Sequence, residues 1–111
     1  MVAVTNEVVL QGRISRPPEP KVLPSGDTVW VVRVVVPRAD GRAGADWFDC
    51  ALWSGRLRRS ARGWATDDVV RVEGVLRRRF YRTAAGPRSV VEVEATGARL
   101  VRRLTRPARR A

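Results

Sequence analysis

The stretch "DWFDCALW", residues 46–53, has the alternation of a β-strand with one apolar face and one mixed face. The apolar face predicts packing in a core and carries Phe48, Cys50 and Leu52. The other face carries Trp47, Asp49, Ala51 and Trp53. The charge of Asp49 indicates that this second face meets water. Large aromatic rings are usually covered, so two tryptophans on a wet face call for a binding partner.

Period-two or β-branched runs on both sides of this stretch predict four more strands. They lie in residues 5–14, 28–37, 67–81 and 89–100. The side chains expected to point inward are Val8, Leu10, Gly12, Ile14, Val70, Val72, Leu76, Val91, Val93 and Ala95. The first strand should stop where "SRPPEPKVLPSGD" (residues 15–27) begins, because its four prolines forbid a regular central strand. Pro24 and Gly26 predict a turn there.

A short helix is predicted between the third and fourth strands, in "SGRLRRSARGWA" (residues 54–65). Leu57, Ala61 and Trp64 recur on one helical face, and Ser54 suits an N-cap. The order of three strands, one helix and two strands predicts an all-β fold, a five-stranded Greek-key OB-fold barrel with one short helix between strands 3 and 4. A generic small β-barrel is the alternative. Residues 1–104 form one domain in this interpretation, and residues 105–111, "TRPARRA", a short basic disordered tail.

The composition points to a polyanionic partner and away from catalysis. The net charge is +11, and Lys21 is the only lysine. Such an excess suits nucleic acid or an anionic membrane surface. The chain has no histidine, one cysteine (Cys50) and no phosphate-binding P-loop. We therefore expect that the protein is not an enzyme and that it binds no metal and no cofactor. The aspartate pairs Asp46/Asp49 and Asp67/Asp68 are expected in turn and solvation roles.

The N-terminal residues lack the basic start and long apolar run of a signal peptide. No segment approaches the length that spans a membrane. The single cysteine cannot form an intrachain disulfide. These observations predict a cytoplasmic protein without a membrane partner, and the family resemblance described next implies association with the nucleoid.

Four segments, in order and with consistent spacing, resemble the bacterial single-stranded DNA-binding protein family. They are "NEVVLQGRI" (residues 6–14), "PPEPKVLPSGDTV" (17–29), "DWFDCALW" (46–53) and "VRVEGVLRRRFY" (70–81). In the second segment Pro18, Glu19, Pro24 and Gly26 are in step with the family pattern. The resemblance continues to about Leu104.

The resemblance implies an OB-fold that binds single-stranded DNA without strict sequence preference, in replication, recombination or repair. It implies a homo-oligomer, usually a homotetramer. The stacking positions of the family fall on Trp47, Trp53 and Tyr81. Phosphate contacts are expected from Arg13, Lys21, Arg77 and Arg79. Trp53 has a second interpretation, packing against a neighbouring subunit. Trp30 and Trp64 are expected in the core, and Phe80 in the core or as a loop anchor.

The sequence departs from the family pattern in three places. The loop "RADGRAG" (residues 38–44) lacks the aromatic usual after the second strand, and Asp49 adds a negative charge to the expected binding face. The family's long tail with an acidic, phenylalanine-ended tip is replaced by "TRPARRA", so no partner recruited by an acidic tail is expected. Two alternatives stay open: a primosome-type accessory OB protein that docks a protein partner, and an RNA-binding OB module.

Overall fold

The computed structural model describes residues 2–104, and the five strands predicted from the sequence close into one barrel. The elements are β1 (Val8–Val22), β2 (Thr28–Pro37), β3 (Ala45–Leu52), α1 (Gly55–Ala61), β4 (Val69–Thr83) and β5 (Gly86–Arg102). The strand order around the barrel is β1-β2-β3-β5-β4. The closure between β3 and β5 is parallel and short, at Cys50↔Val93 and Ala51↔Glu94, and the other pairings are antiparallel. This is the OB-fold arrangement, as predicted.

The core forms where the inward faces of the five strands meet. Its fully buried side chains include Ile14, Val32, Val34, Cys50, Leu52, Val70, Val72 and Val93. Helix α1 adds Leu57 and Ala61, and Trp64 follows just beyond its end. The Ser54 hydroxyl accepts a hydrogen bond from Leu57 N at 3.1 Å, so the predicted N-cap is confirmed. Trp30 is partly buried against the same core.

Two glycines let the barrel walls approach each other closely. A Cβ atom on Gly12 would lie 2.1 Å from the Val35 carbonyl oxygen, and one on Gly74 would lie 2.1 Å from that of Glu94. Both distances are far inside van der Waals contact, so any other residue would force the backbones apart. Gly74 also adjoins the register shift between β4 and β5.

The prediction that β1 ends before the prolines is wrong. The strand runs on to Val22 through Pro17, Pro18 and Pro20, with register shifts between Ile14 and Glu19. The reason is a change of partner. β1 pairs with β4 over residues 8–13 and with β2 from residue 13 onward, so within residues 2–104 its proline-bearing half has one unpaired edge. A proline is tolerated where the missing N–H would face such an edge.

Three predictions of burial are also wrong. Leu76 and Val91 were expected inward, but they are 45% and 44% exposed. They lie where β4 and β5 leave the barrel as a ribbon, the hairpin arm (residues 76–92), whose tip is the turn between Thr83 and Gly86. Phe80, near the tip, is 75% exposed, so of its two interpretations the core is excluded and the loop anchor stays open. Ala51, expected on the wet face, is fully buried, because its methyl group lies in register between the longer side chains of Val31 and Glu94.

Candidate nucleic-acid interface

Asp49, on the wet face predicted for β3, lies in the floor of a groove, the outer groove. One wall is the end of β1 and the β1–β2 turn, and the other is the hairpin arm. A section of about 390 Å³ is lined by Lys21, Leu23, Pro24, Asp49, Arg79, Tyr81, Val90 and Glu92. A neighbouring section shares four of these residues and adds Ser25, Trp53, Phe80 and Arg82. In OB-folds the loops between strands 1 and 2 and between strands 4 and 5 flank the ligand in this way.

The β1–β2 turn fixes one rim of the outer groove. Leu23 N donates to the Asp27 carbonyl oxygen at 2.8 Å, and Gly26 N donates to the Leu23 carbonyl oxygen at 2.8 Å. Gly26 has φ of +90°, a conformation that glycine adopts without strain. The predicted turn is therefore present, and it holds Leu23 and Pro24 against the groove.

The three predicted stacking residues all lie on this side of the barrel. Trp47 is 56% exposed on β3, and Tyr81 is 47% exposed on the arm. Trp53 follows β3 directly and is half-buried at the foot of the arm. Its carbonyl oxygen accepts a hydrogen bond of 2.9 Å from Arg58 Nη2, which also donates to the Thr28 carbonyl oxygen at 3.1 Å. The arginine on α1 thus fixes the backbone that carries Trp53.

Trp47 belongs to a compact group with Arg33 and Asp49. The Arg33 guanidinium lies 3.8 Å from the centroid of the Trp47 ring. Arg33 Nε donates to Asp49 Oδ1 at 2.9 Å, and Nη2 donates to Oδ2 at 3.2 Å. The Asp49 carboxylate raises the pKa of Arg33 above its ordinary value, so the guanidinium remains charged. The negative charge of Asp49, a departure from the family pattern, is therefore matched within the protein.

The four predicted phosphate contacts differ in their surroundings. Arg77 Nε lies 3.1 Å from Glu94 Oε2, and Arg79 forms a hydrogen-bonded ion pair with Glu92. Arg13, in register with Val35, makes a looser pair with Asp67 at 3.7 Å. Lys21 lines the groove and has no ion-pair partner among residues 2–104. Two of the expected cations are thus already neutralised by carboxylates of β5.

Sequence reasoning missed Arg33, Glu92 and Leu23 as parts of this face. Arg33 had a visible signal, since it is the single charge in the apolar run "TVWVVRVVVP". A lone arginine at an outward position of a buried strand indicates a paired or stacked side chain. Glu92 and Leu23 carried no comparable signal, because their place depends on strand register and on the turn.

The aspartates of the Asp67/Asp68 pair have the turn role expected of them. The Asp68 carboxylate is buried and accepts hydrogen bonds from Ala65 N at 3.0 Å and Leu104 N at 2.9 Å. Asp67 has φ of +72°, and its N–H donates to the Ile14 carbonyl oxygen at 2.8 Å. Both residues therefore fix the connection from α1 to β4.

The described residues contain neither a reactive thiol nor a cluster suited to a metal ion. Burial, with smaller contributions from the charges of Asp49 and Glu92, raises the pKa of Cys50 to about 12, so its thiol stays protonated at neutral pH. Within residues 2–104, no cluster of three or more histidine, cysteine or acidic side chains could hold a metal ion. None of the helices there is long and apolar enough to cross a membrane.

Comparisons with known proteins agree with this architecture. Residues 5–101 match the model of the single-strand binding protein family. The single-stranded DNA-binding protein A of Bacillus subtilis is 32% identical over 95 residues, which cover 81% of this chain and 55% of that protein. The chain thus spans about half the length of this curated relative. The single-strand binding protein of Plasmodium falciparum, solved in complex with single-stranded DNA, superposes with a TM-score of 0.70 at 18% identity, covering 91% of this chain and 98% of that one. Since the family model covers most of the sequence, the chain belongs to the single-strand binding protein family.

Proposed function

We propose that this protein binds single-stranded DNA along the outer groove without strict sequence preference. The observation that carries the proposal is a set of three aromatic side chains on one side of the barrel: Trp53 and Tyr81 line the outer groove, and Trp47 is exposed two residues from Asp49 on the same face of β3. Every nucleobase has a π-face, so stacking holds a strand without reading its sequence. The names of the relatives support the same ligand. As a member of this family the chain is a binding protein and not an enzyme.

The spacing of the aromatics favours one strand that runs across the face. Trp47 and Trp53 are six residues apart along an extended chain, which corresponds to about 20 Å. That distance is too long for one base, so each ring serves a different nucleotide. Tyr81, on the arm, extends the path past the β1–β2 turn. Bases in a duplex are paired and stacked on each other, so duplex DNA offers no free face to these rings.

Electrostatic attraction to phosphates supplies the second part of binding. Lys21 and Arg13 are the expected contacts with the least competition from carboxylates. Arg77 and Arg79 can contact phosphate only if their ion pairs with Glu94 and Glu92 are broken. Each phosphate contact on a single strand lowers the slope of log affinity against log salt by about 0.7. The slope of log affinity against log salt should therefore correspond to fewer phosphate contacts than the net charge of +11 suggests.

The decisive experiment compares a single-stranded oligothymidylate with a duplex and an RNA of equal length over a range of salt. We expect the tightest binding for single-stranded DNA, with an affinity that falls as salt rises. Preference for the duplex would refute the proposal, and preference for RNA would favour the RNA-binding alternative. Trp53→Ala should weaken binding by about five- to a hundredfold with an unchanged slope. A changed oligomeric mass in this variant would favour its subunit-contact interpretation.

A homo-oligomer, most simply the homotetramer of the family, is part of this proposal. Residues 8–12 of β1 pair with β4 but not with β2, so this half of the strand keeps a free edge. Val9, on the outer face of the same segment, is 52% exposed. A free edge beside an apolar surface favours pairing with another chain. Light scattering tests this, and a monomer mass at every concentration would contradict it.

We also propose a cellular process and a location for this protein, which follow from its family. We place the protein in replication, recombination or repair, in the cytoplasm and on the nucleoid. Residues 1–104 act as the binding domain. The tail predicted at residues 105–111 lies outside the described residues.

A further inference from the structure

One face of the Trp47 ring is covered by a charged side chain from the neighbouring strand. The 3.8 Å separation between the Arg33 guanidinium and the ring centroid is that of a stacked cation–π pair. Arg33 lies directly opposite Asp49 in the β2–β3 register, so Trp47 is its diagonal neighbour on the outer face. Trp47 nevertheless keeps 56% of its surface exposed. Among the described residues, β3 pairs with β5 only at Cys50 and Ala51, so β5 does not pair with β3 beside Trp47.

Asp49 holds Arg33 in this position. The two hydrogen bonds, Nε to Oδ1 at 2.9 Å and Nη2 to Oδ2 at 3.2 Å, form a bidentate pair. Such a pair fixes the plane of the guanidinium, which an isolated flexible side chain does not. The Arg33 and Asp49 side chains are only 22% and 32% exposed, so the pair is also partly shielded from water. The plane fixed in this way is the one that lies on the indole.

We propose that Arg33 and Asp49 are positioning residues that make Trp47 a one-sided stacking site, which accepts a single nucleobase on its free face. This inference rests on the proposed function. The bound state is a sandwich of Arg33, Trp47 and one base, and the ring cannot insert between two bases. The pair also holds the indole in place before the ligand arrives, which lowers the cost of ordering it on binding. Asp49 therefore assists DNA binding although its charge repels phosphate.

The first test removes the pair without changing the charge of the face. The double variant Arg33→Gln/Asp49→Asn should bind an oligothymidylate about two- to fivefold more weakly, with an unchanged salt slope. The matched control is Arg71→Gln/Glu73→Gln, which removes a pair at 3.2 Å on β4 that lines none of the groove sections. This control should bind as the unmodified protein does. Equal affinity of the Arg33/Asp49 variant and the unmodified protein would overturn the proposal.

The second test asks whether Asp49→Asn weakens or tightens DNA binding. Asp49→Asn removes a negative charge from the binding face, so attraction to phosphate alone would make binding tighter. Loss of the bidentate pair should instead make it weaker. In a Trp47→Ala background the same substitution should be neutral or tighten binding, because no ring remains to be positioned. Tighter binding of Asp49→Asn with Trp47 intact would contradict the inference.

The third test works without DNA. Acrylamide quenching attributable to Trp47, obtained by subtracting the signal of Trp47→Ala variants, should increase in Arg33→Gln/Asp49→Asn as the covered face opens. A melting temperature within a few degrees of the unmodified protein confirms that the variant is folded. Unchanged quenching would refute the positioning role. Failure of the unmodified protein to bind any single-stranded DNA would instead refute the proposed function, and the base-stacking part of this inference with it.

Discussion

The ribbon formed by β4 and β5 is part of the barrel wall at one end and an exposed arm at the other. The two strands pair from Val69↔Arg102 to Thr83↔Gly86, with two register shifts in the wall. Apolar residues recur both in the wall and in the arm. Val72, in the wall, is fully buried, whereas Val91, in the arm, is 44% exposed. The difference lies in the neighbours, since β1 pairs with β4 only as far as Gly74. Alternation thus defines two faces of a ribbon, but burial of either face needs another element against it.

The arm consequently has two exposed faces of different character. The groove face carries Arg77, Arg79, Tyr81, Val90 and Glu92. The back face carries Leu76, Arg78, Ser89 and Val91, whereas Phe80, near the tip, borders the outer groove. The proposed function assigns DNA to the first face only. Substitutions matched between wall and arm, and between the two faces of the arm, therefore test the comparison directly.

The largest effect is expected in the core of the wall. Val72→Ala should lower the free energy of unfolding by about 2 kcal/mol, because it removes buried methyl groups and leaves a cavity. Val91→Ala, the same substitution in the arm, should change it by no more than about 0.5 kcal/mol. Urea unfolding of both variants measures the difference. Equal losses would mean that the arm is packed against something in solution.

The two faces of the arm should differ in their effect on DNA. Tyr81→Ala should weaken oligothymidylate binding by about five- to a hundredfold, since one base loses its stacking partner. Val91→Ala, on the back face and outside both groove sections, should leave affinity unchanged. Fluorescence titration of both variants provides the measurement. Weaker binding of Val91→Ala would show that the strand also crosses the back face.

The barrel should lose stability at alkaline pH through Cys50. The pKa of its thiol is raised from 9.0 to about 12 in the folded state, so above pH 9 the unfolded chain loses a proton that the folded chain retains. Deprotonation then favours unfolding, and the cost reaches about 1.4 kcal/mol at pH 10. Below about pH 8 this group should produce almost no pH dependence.

Cys50→Ala provides the control for this pH dependence, because other groups also titrate in the same range. The free energy of unfolding of the unmodified protein should fall more steeply between pH 8 and 10.5 than that of the variant. Parallel curves would show that the thiol is not held protonated by the core.

The smallest effect concerns the ion pair of Arg79 on the groove face. Glu92→Gln releases Arg79 from its carboxylate, so we expect about two- to threefold tighter DNA binding and a salt slope that is steeper by up to about 0.7. Ser89→Ala, on the back face, should change neither quantity. Weaker binding of Glu92→Gln would indicate that the pair holds Arg79 in its binding position, as proposed for Arg33.

The sequence predicted the order of elements, most inward positions inside the barrel and the exposure of Trp47 from local periodicity, whereas the surface position of Tyr81 was implied by the family resemblance. It did not predict the exposure of Leu76 and Val91, because the end of the barrel is set by which distant strand stops pairing. It also missed that Arg77 and Arg79 are paired with Glu94 and Glu92. Those contacts depend on the β4–β5 register, which no local pattern fixes.

The proline-bearing half of β1 has a consequence for the protein in a crowded solution. An unpaired strand edge beside an open groove is a template on which an unfolded or neighbouring chain could add a strand and begin aggregation. Pro17, Pro18 and Pro20 remove three N–H donors from this half of the strand, and the register shifts up to Glu19 break its regular repeat. This edge is therefore a poor template. The groove stays open to a flexible polyanion while remaining a weak acceptor for a polypeptide strand.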